Sequence, residues 1–238
     1  AVKRRLALCL ASALIPLPLA ASEGAGKGAP APAGTADKKG GASPPAFEIR
    51  MDASEVPEMK EWAEQARAAM EKCYPVFAEQ IRSDGFTPPR VVTVKIRKDM
   101  KGIAGTGGSH IEAASEWFKK RPEDTGALIH ELAHVIQSYP KYYPDWLVEG
   151  IADYLRFWKY EPEAKRPKPN PDRIKYRDGY QPVGAFLAWL EKAYDKDIVR
   201  KLNAACRETR YKDDLFQEYT KKTLDELWGE FKESLRKK

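Results

Sequence analysis

The stretch Ala127-Leu-Ile-His-Glu-Leu-Ala-His134 decides how the chain is read. It holds two of the protein's three histidines, four residues apart, with Glu131 directly after the first. An α-helix turns once in about 3.6 residues, so His130 and His134 leave the same face. Imidazoles so placed can grip one zinc ion, and Glu131 then stands where it can take a proton from the metal's water. Leu128, Ile129, Leu132, Ala133 and Ile136 make the same helix mostly apolar. Burial is therefore expected whether the histidines bind a metal or are hydrogen-bonded core residues.

Eleven residues after His134 comes Asp145-Trp-Leu-Val-Glu-Gly-Ile-Ala-Asp-Tyr154. Pro144 and Asp145 suit a helix start, and Glu149 and Asp153 then share one face at i and i+4. Like charges so placed on a mostly apolar helix repel unless a cation lies opposite. Zinc would be that cation. A catalytic zinc keeps three protein ligands and an open position for water, which His130, His134 and Glu149 would supply. Asp153 would accept the second ring N–H of a ligand histidine and set its orientation. The segment from Val135 to Tyr143 is long enough to end one helix, turn and bring the second alongside.

The two segments His-Glu-Leu-Ala-His-Val-Ile-Gln and Trp-Leu-Val-Glu-Gly-Ile-Ala-Asp-Tyr together resemble the plant and bacterial basic secretory protein family of zinc peptidases. The resemblance runs on through Gly179-Tyr180, the Phe186-Leu-Ala-Trp-Leu-Glu191 helix and the Thr223 to Phe231 helix, covering most of residues 47–235. It implies a gluzincin-like, zincin-type core, with His130, His134 and Glu149 on zinc and Glu131 as general base. The expected activity is hydrolysis of a peptide or protein substrate by a zinc-activated water. In related zinc peptidases a tyrosine or histidine steadies the oxyanion. Tyr180 is favoured for that part here, with Tyr154 and His110 as the other candidates. His110 is also a possible zinc ligand in place of Glu149. A secreted zinc-binding module without catalysis is the competing function. Glu131 argues against it, since a structural site needs no base and usually has four protein ligands.

Outside this core the composition sets limits. Lys3, Arg4 and Arg5, the apolar run Leu6 to Leu19 and the small residues Ala20, Ala21 and Ser22 read as a signal peptide over residues 1–21. Pro16 and Pro18 make that run a poor membrane span. Residues 22–46, rich in Ala, Gly, Pro and Lys, read as a flexible linker, because they cannot bury enough surface to offset their ordering entropy. That leaves 47–238 as one domain. A monomeric protein, secreted or periplasmic, is expected. The formal charge of +6 is not a polyanion footprint: the first 21 residues carry +3 and the linker +1, so only +2 is spread over the rest. No nucleic-acid partner is expected.

The pattern predicts an α+β fold, a small sheet near the N-terminus followed by a mostly helical part. Phe47 to Met51 and Val91 to Ile96 read as strands, and Ser109 to Ala114 as a third, reached through the glycine-rich stretch from Gly102. That third strand is read either as an edge beside the cleft, able to pair with an extended substrate, or as an inner strand. Ser54 is a candidate cap for the first helix, which Pro75 is expected to kink or restart. Thr223 and Glu226 fit a capping box. Glu161 to Gly179 reads as a long loop, either a cleft rim or a solvated connector. Cys73 and Cys206 are expected either to form one disulfide or to be two buried thiols.

Overall fold

Val92, Val94 and Ile96 are buried while their neighbours in sequence are not, which is the alternation of a strand covered on one face. In the computed structural model, which describes residues 47–163, 166 and 168–237, this strand is β2 (Val91–Arg97). It lies second in a four-stranded sheet. β1 (Glu48–Asp52) pairs with it in parallel, from Glu48 opposite Val91 to Asp52 opposite Lys95. β4 (His110–Ala114) pairs in parallel on its other side, and β3 (Ala104–Gly107) closes the sheet antiparallel to β4. The spatial order is β1-β2-β4-β3. The signal-peptide and linker segments lie outside the described residues.

The helix α1 (Lys60–Gln80) connects β1 to β2, and α1 and α3 (Gly126–Gln137) cover the apolar face of the sheet. The opposite face is solvated and carries Lys95 and Arg97, both paired with Glu55. A short α2 (Ser115–Lys120) leads from β4 towards α3. After α3 come α4 (Asp145–Tyr154), a wider π-type turn over Leu155–Tyr160, α5 (Tyr180–Ala193), α6 (Ile198–Arg207), α7 (Asp214–Thr220) and α8 (Leu224–Arg236). The fold is α+β, with the small sheet first and the helical part after it. Among the described residues no helix is long and apolar enough to cross a membrane.

Several local expectations change. Ser109 to Ala114 is not an edge: β4 lies between β2 and β3, and the edge position belongs to β3. Residues Ala104–Gly107 hold one β-branched residue, Thr106, between two glycines, too little to signal a strand. They pair nonetheless because Gly108, at a φ of +61°, allows the tight turn that sets Gly107 opposite His110. Ser54 does not cap α1. Its backbone N–H instead donates to Asp52, and a 3₁₀ turn at Pro57–Met59 starts the helix. Pro75 lies within a continuous α1, where burial of Met70, Cys73, Tyr74 and Phe77 outweighs one missing backbone bond. The capping box at Thr223 and Glu226 is present. Cys73 and Cys206 are buried free thiols, each pushed up to about 12 by burial.

Helices α4 and α5 approach closely through glycine. A Cβ on Gly150 would overlap Val183 of α5, and one on Gly184 would lie 3.0 Å from the Tyr154 backbone nitrogen. Trp146, at the start of α4, stacks on Phe216 and meets Tyr176 edge-on, tying the same helix to the C-terminal aromatic cluster. That cluster includes Phe186, Trp228 and Phe231.

Candidate metal centre

Helix α3 is apolar almost all round: Leu128, Ile129, Leu132, Ala133, Val135 and Ile136 are fully or nearly fully buried. A helix of that kind belongs in a core, and this one is packed against α1, the sheet and α4. His130 and His134 leave its one polar stripe, which faces α4. Their rings meet edge to face with centroids 4.8 Å apart, and their Nε2 atoms are 3.1 Å apart. Across the interface, Glu149 Oε2 is 3.1 Å from His130 Nε2 and Glu149 Oε1 is 3.5 Å from His134 Nε2. One donor atom from each residue lies within 4.8 Å of the others, so the three could hold a metal ion.

The outer nitrogens of both rings are occupied. His130 Nδ1 is 2.7 Å from Asp153 Oδ1, one turn beyond Glu149 on α4. His134 Nδ1 is 2.7 Å from Oε1 of Gln137, the last residue of α3, and the Gln137 amide nitrogen donates to the Val148 carbonyl at 2.9 Å. Each ring is thereby turned so that Nε2 points into the shared space.

The charges in this space are coupled. Burial by itself would push the His130 imidazole down, but hydrogen bonds to Asp153 and Glu149 outweigh it and raise the pKa to about 10. Burial would push Glu149 up, yet its hydrogen bonds to His130 and His134 bring it down to about 2. The arrangement favours a cation at this position whether that cation is a proton or a metal.

Glu131 lies beside the group, and its carboxylate Oε2 accepts from the Thr106 hydroxyl at 2.6 Å. Thr106 belongs to the edge strand β3, so the strand reaches the carboxylate directly. Tyr180 is the first residue of α5 and has a φ of +48°, directly after Gly179 at +67°. A Cβ on Gly179 would sit 3.5 Å from Trp146 Cα and 3.6 Å from Glu149 Cβ. The chain thus turns tightly against α4 and sends Tyr180 over the site. Its ring lies nearly parallel to that of His130, with centroids 6.2 Å apart. On the other side Tyr142, 59% exposed, tilts towards His134 at 6.3 Å.

Two candidates fall away. Tyr154 is fully buried and its hydroxyl donates to Glu191 at 2.6 Å, while Gln80 donates to it. It serves the junction of α1, α4 and α5. His110 sits at the exposed start of β4, with Nδ1 2.9 Å from the Thr93 hydroxyl, and is not in the donor group. Gln137 and Thr106 are the site residues that sequence reading passed over. Gln137 follows His134 by three positions and so shares its helix face, a usable signal. Thr106 sits in a glycine-rich run 25 residues before Glu131, and nothing local marks it.

A family model described as "peptidase of plants and bacteria" matches residues 47–231. No curated protein and no solved structure matches the chain.

Proposed function

The chain belongs to that family of peptidases of plants and bacteria, and on this premise we propose that it is a secreted zinc metallopeptidase. One observation carries the zinc assignment. Bonds of about 2.0–2.1 Å at a tetrahedral angle place ligand atoms roughly 3.3 Å apart. The two histidine Nε2 atoms are 3.1 Å apart, and the Glu149 carboxylate reaches both, with Oε2 3.1 Å from His130 and Oε1 3.5 Å from His134. Two imidazoles and one carboxylate also form a set that suits zinc and leaves a position open for water.

When bound, zinc supplies a Lewis acid that polarises the peptide carbonyl and acidifies a water. The chain's own groups do the rest. Glu131 takes the proton from the attacking water and passes it to the leaving amine, its carboxylate steadied by Thr106. Tyr180, whose ring lies beside that of His130, would supply a phenol donor to the carbonyl oxygen as it develops charge. Asp153 holds the orientation of His130. Among the described residues β3 has no strand on its outer side, and that side would offer backbone groups to an extended peptide. Export follows from the basic, apolar and small-residue order of residues 1–22.

The test is elemental analysis of the purified protein, made without a histidine tag, together with peptide hydrolysis before and after chelation. About one zinc per chain is expected, lost in Glu149→Ala. Chelation should stop hydrolysis and zinc should restore it, while Glu131→Gln should keep the metal and lose turnover. A folded chain that takes up no zinc would overturn the reading. Bound zinc with no hydrolysis of any peptide would turn it into a non-catalytic zinc-binding protein.

A further inference from the structure

Gln137 is 1% exposed, and its amide spans the two helices that carry the candidate ligands. We propose that Gln137 is a positioning residue that selects the tautomer of His134 and registers α3 against α4, so that one neutral amide presets two of the three metal ligands. This inference rests on the zinc reading for its consequence, but its geometry stands on its own.

Amide oxygen and nitrogen have nearly the same shape, so chemistry must decide which faces which neighbour. The Val148 carbonyl can only accept a hydrogen bond, and the Gln137 atom 2.9 Å from it must therefore be the donating nitrogen. The oxygen is then left facing His134 Nδ1 at 2.7 Å. An amide oxygen can only accept, so Nδ1 must carry the proton. A neutral imidazole protonated at Nδ1 keeps its lone pair at Nε2, the atom 3.1 Å from His130 Nε2 and 3.5 Å from Glu149. The orienting information thus begins at a backbone carbonyl of α4, directly before Glu149. It passes through the amide and ends at the metal-facing nitrogen of α3.

The amide is itself held in place. Gln137 is the last residue of α3, and Ser138, at a φ of +44°, ends the helix. Arg207 of α6 donates to the backbone carbonyls of Ile136 and Gln137, each at 3.1 Å, satisfying groups that a helix end leaves open. Asp153 does the corresponding work for His130 with a charged carboxylate. Using a neutral amide for the second histidine orients the ring without adding another negative charge. A site already holding Glu131, Glu149 and Asp153 gains that way.

The experiment measures zinc affinity by chelator competition for the full chain and for Q137M and Q137E. Methionine keeps the length and removes the acceptor, whereas glutamate keeps an oxygen facing His134. Q137M should bind zinc about 10- to 100-fold more weakly, and Q137E, which keeps the acceptor for His134 but loses the donor to Val148 and adds a charge, should lose distinctly less. Unchanged affinity in Q137M, or equal losses in both variants, would overturn the proposal, because packing alone would then explain the residue. A second measurement needs no variant. Nitrogen-15 NMR of the metal-free protein should find a proton on His134 Nδ1, held by the Gln137 oxygen. The opposite tautomer would refute the inference even if the chain bound zinc. A parent protein that showed the expected tautomer but took up no zinc would instead sink the zinc reading and leave the tautomer assignment standing.

Discussion

The hydroxyl of Thr106, on the edge strand β3, donates to the carboxylate of Glu131, on helix α3, at 2.6 Å. Strand and helix are therefore joined at the group proposed to move the proton. The same hydroxyl lies 3.1 Å from the Glu131 backbone carbonyl, but it has one hydrogen, and the shorter contact to the charged acceptor is the stronger. Thr106→Val removes the donor and keeps the shape. It should lower kcat about 10- to 100-fold, the range expected when a reacting group is slightly misplaced, with zinc content unchanged. Thr106→Ser should keep most of the activity. Full turnover in the valine variant would show that Glu131 needs no such partner.

Tyr180 is held over His130 by two successive residues at positive φ, a backbone state that an ordinary side chain adopts only at some cost. If its phenol serves the developing oxyanion, Tyr180→Phe should lower kcat by about 100-fold and leave KM and zinc content nearly unchanged. A rise in KM alone would recast the ring as part of the substrate surface. Tyr180→Gly should relax the backbone and still lose turnover, which separates strain from chemistry.

The buried pair of His130 and Glu149 makes the metal-free protein pH-sensitive in a definite direction. The His130 pKa is raised from 6.5 to about 10, so its contribution to stability is complete below pH 6.5 and is lost as pH rises towards 10. Glu149 is lowered from 4.5 to about 2, so its contribution is present above pH 4.5 and is lost as pH falls towards 2. The metal-free Tm should therefore be highest between about pH 4.5 and 6.5 and decline on the alkaline side. Zinc has to displace the His130 proton, so its apparent affinity should rise with pH over the same alkaline range. Thermal scans and proton release in weakly buffered titrations check both. A Tm that stays level from pH 5 to 9 would contradict the pairing.

Gly150 lies against Val183 with no room for a side chain. Gly150→Ala has a helix-favouring residue to its credit, worth about 1 kcal/mol in an open helix. Here overpacking should win, for a net loss of about 1–3 kcal/mol in denaturant unfolding. Because Glu149 is the preceding residue, zinc affinity should fall together with stability. A gain in stability would mean that α4 and α5 can separate without cost.

Much of the centre is legible in the chain because helical spacing is a local rule. His130, His134 and Glu131 follow from positions within eight residues, and Glu149 and Asp153 from one further turn of the same reasoning. The apolar residues around them place both helices in the core, and Thr223 with Glu226 marks the last helix through its own capping hydrogen bonds. Gln137 could also have been read this way, being one turn beyond His134.

What only the tertiary structure decided depends on partners distant in sequence. Ala104–Gly107 is a strand because β4 pairs with it, not because of its own residues, and this pairing moves β4 inward. Pro75 stays inside a helix because the surrounding core holds it there. Tyr154 turns to Glu191 and Tyr180 to His130, although both are tyrosines near the same helix. Thr106 meets Glu131 across 25 residues, and the Gln137 amide is oriented by a carbonyl of another helix. Spacing along one helix is set by backbone geometry that every residue shares, so the sequence alone reveals which groups share a face. Which face meets which neighbour is settled by packing and by the requirement that buried polar groups find partners, and both belong to the folded chain as a whole.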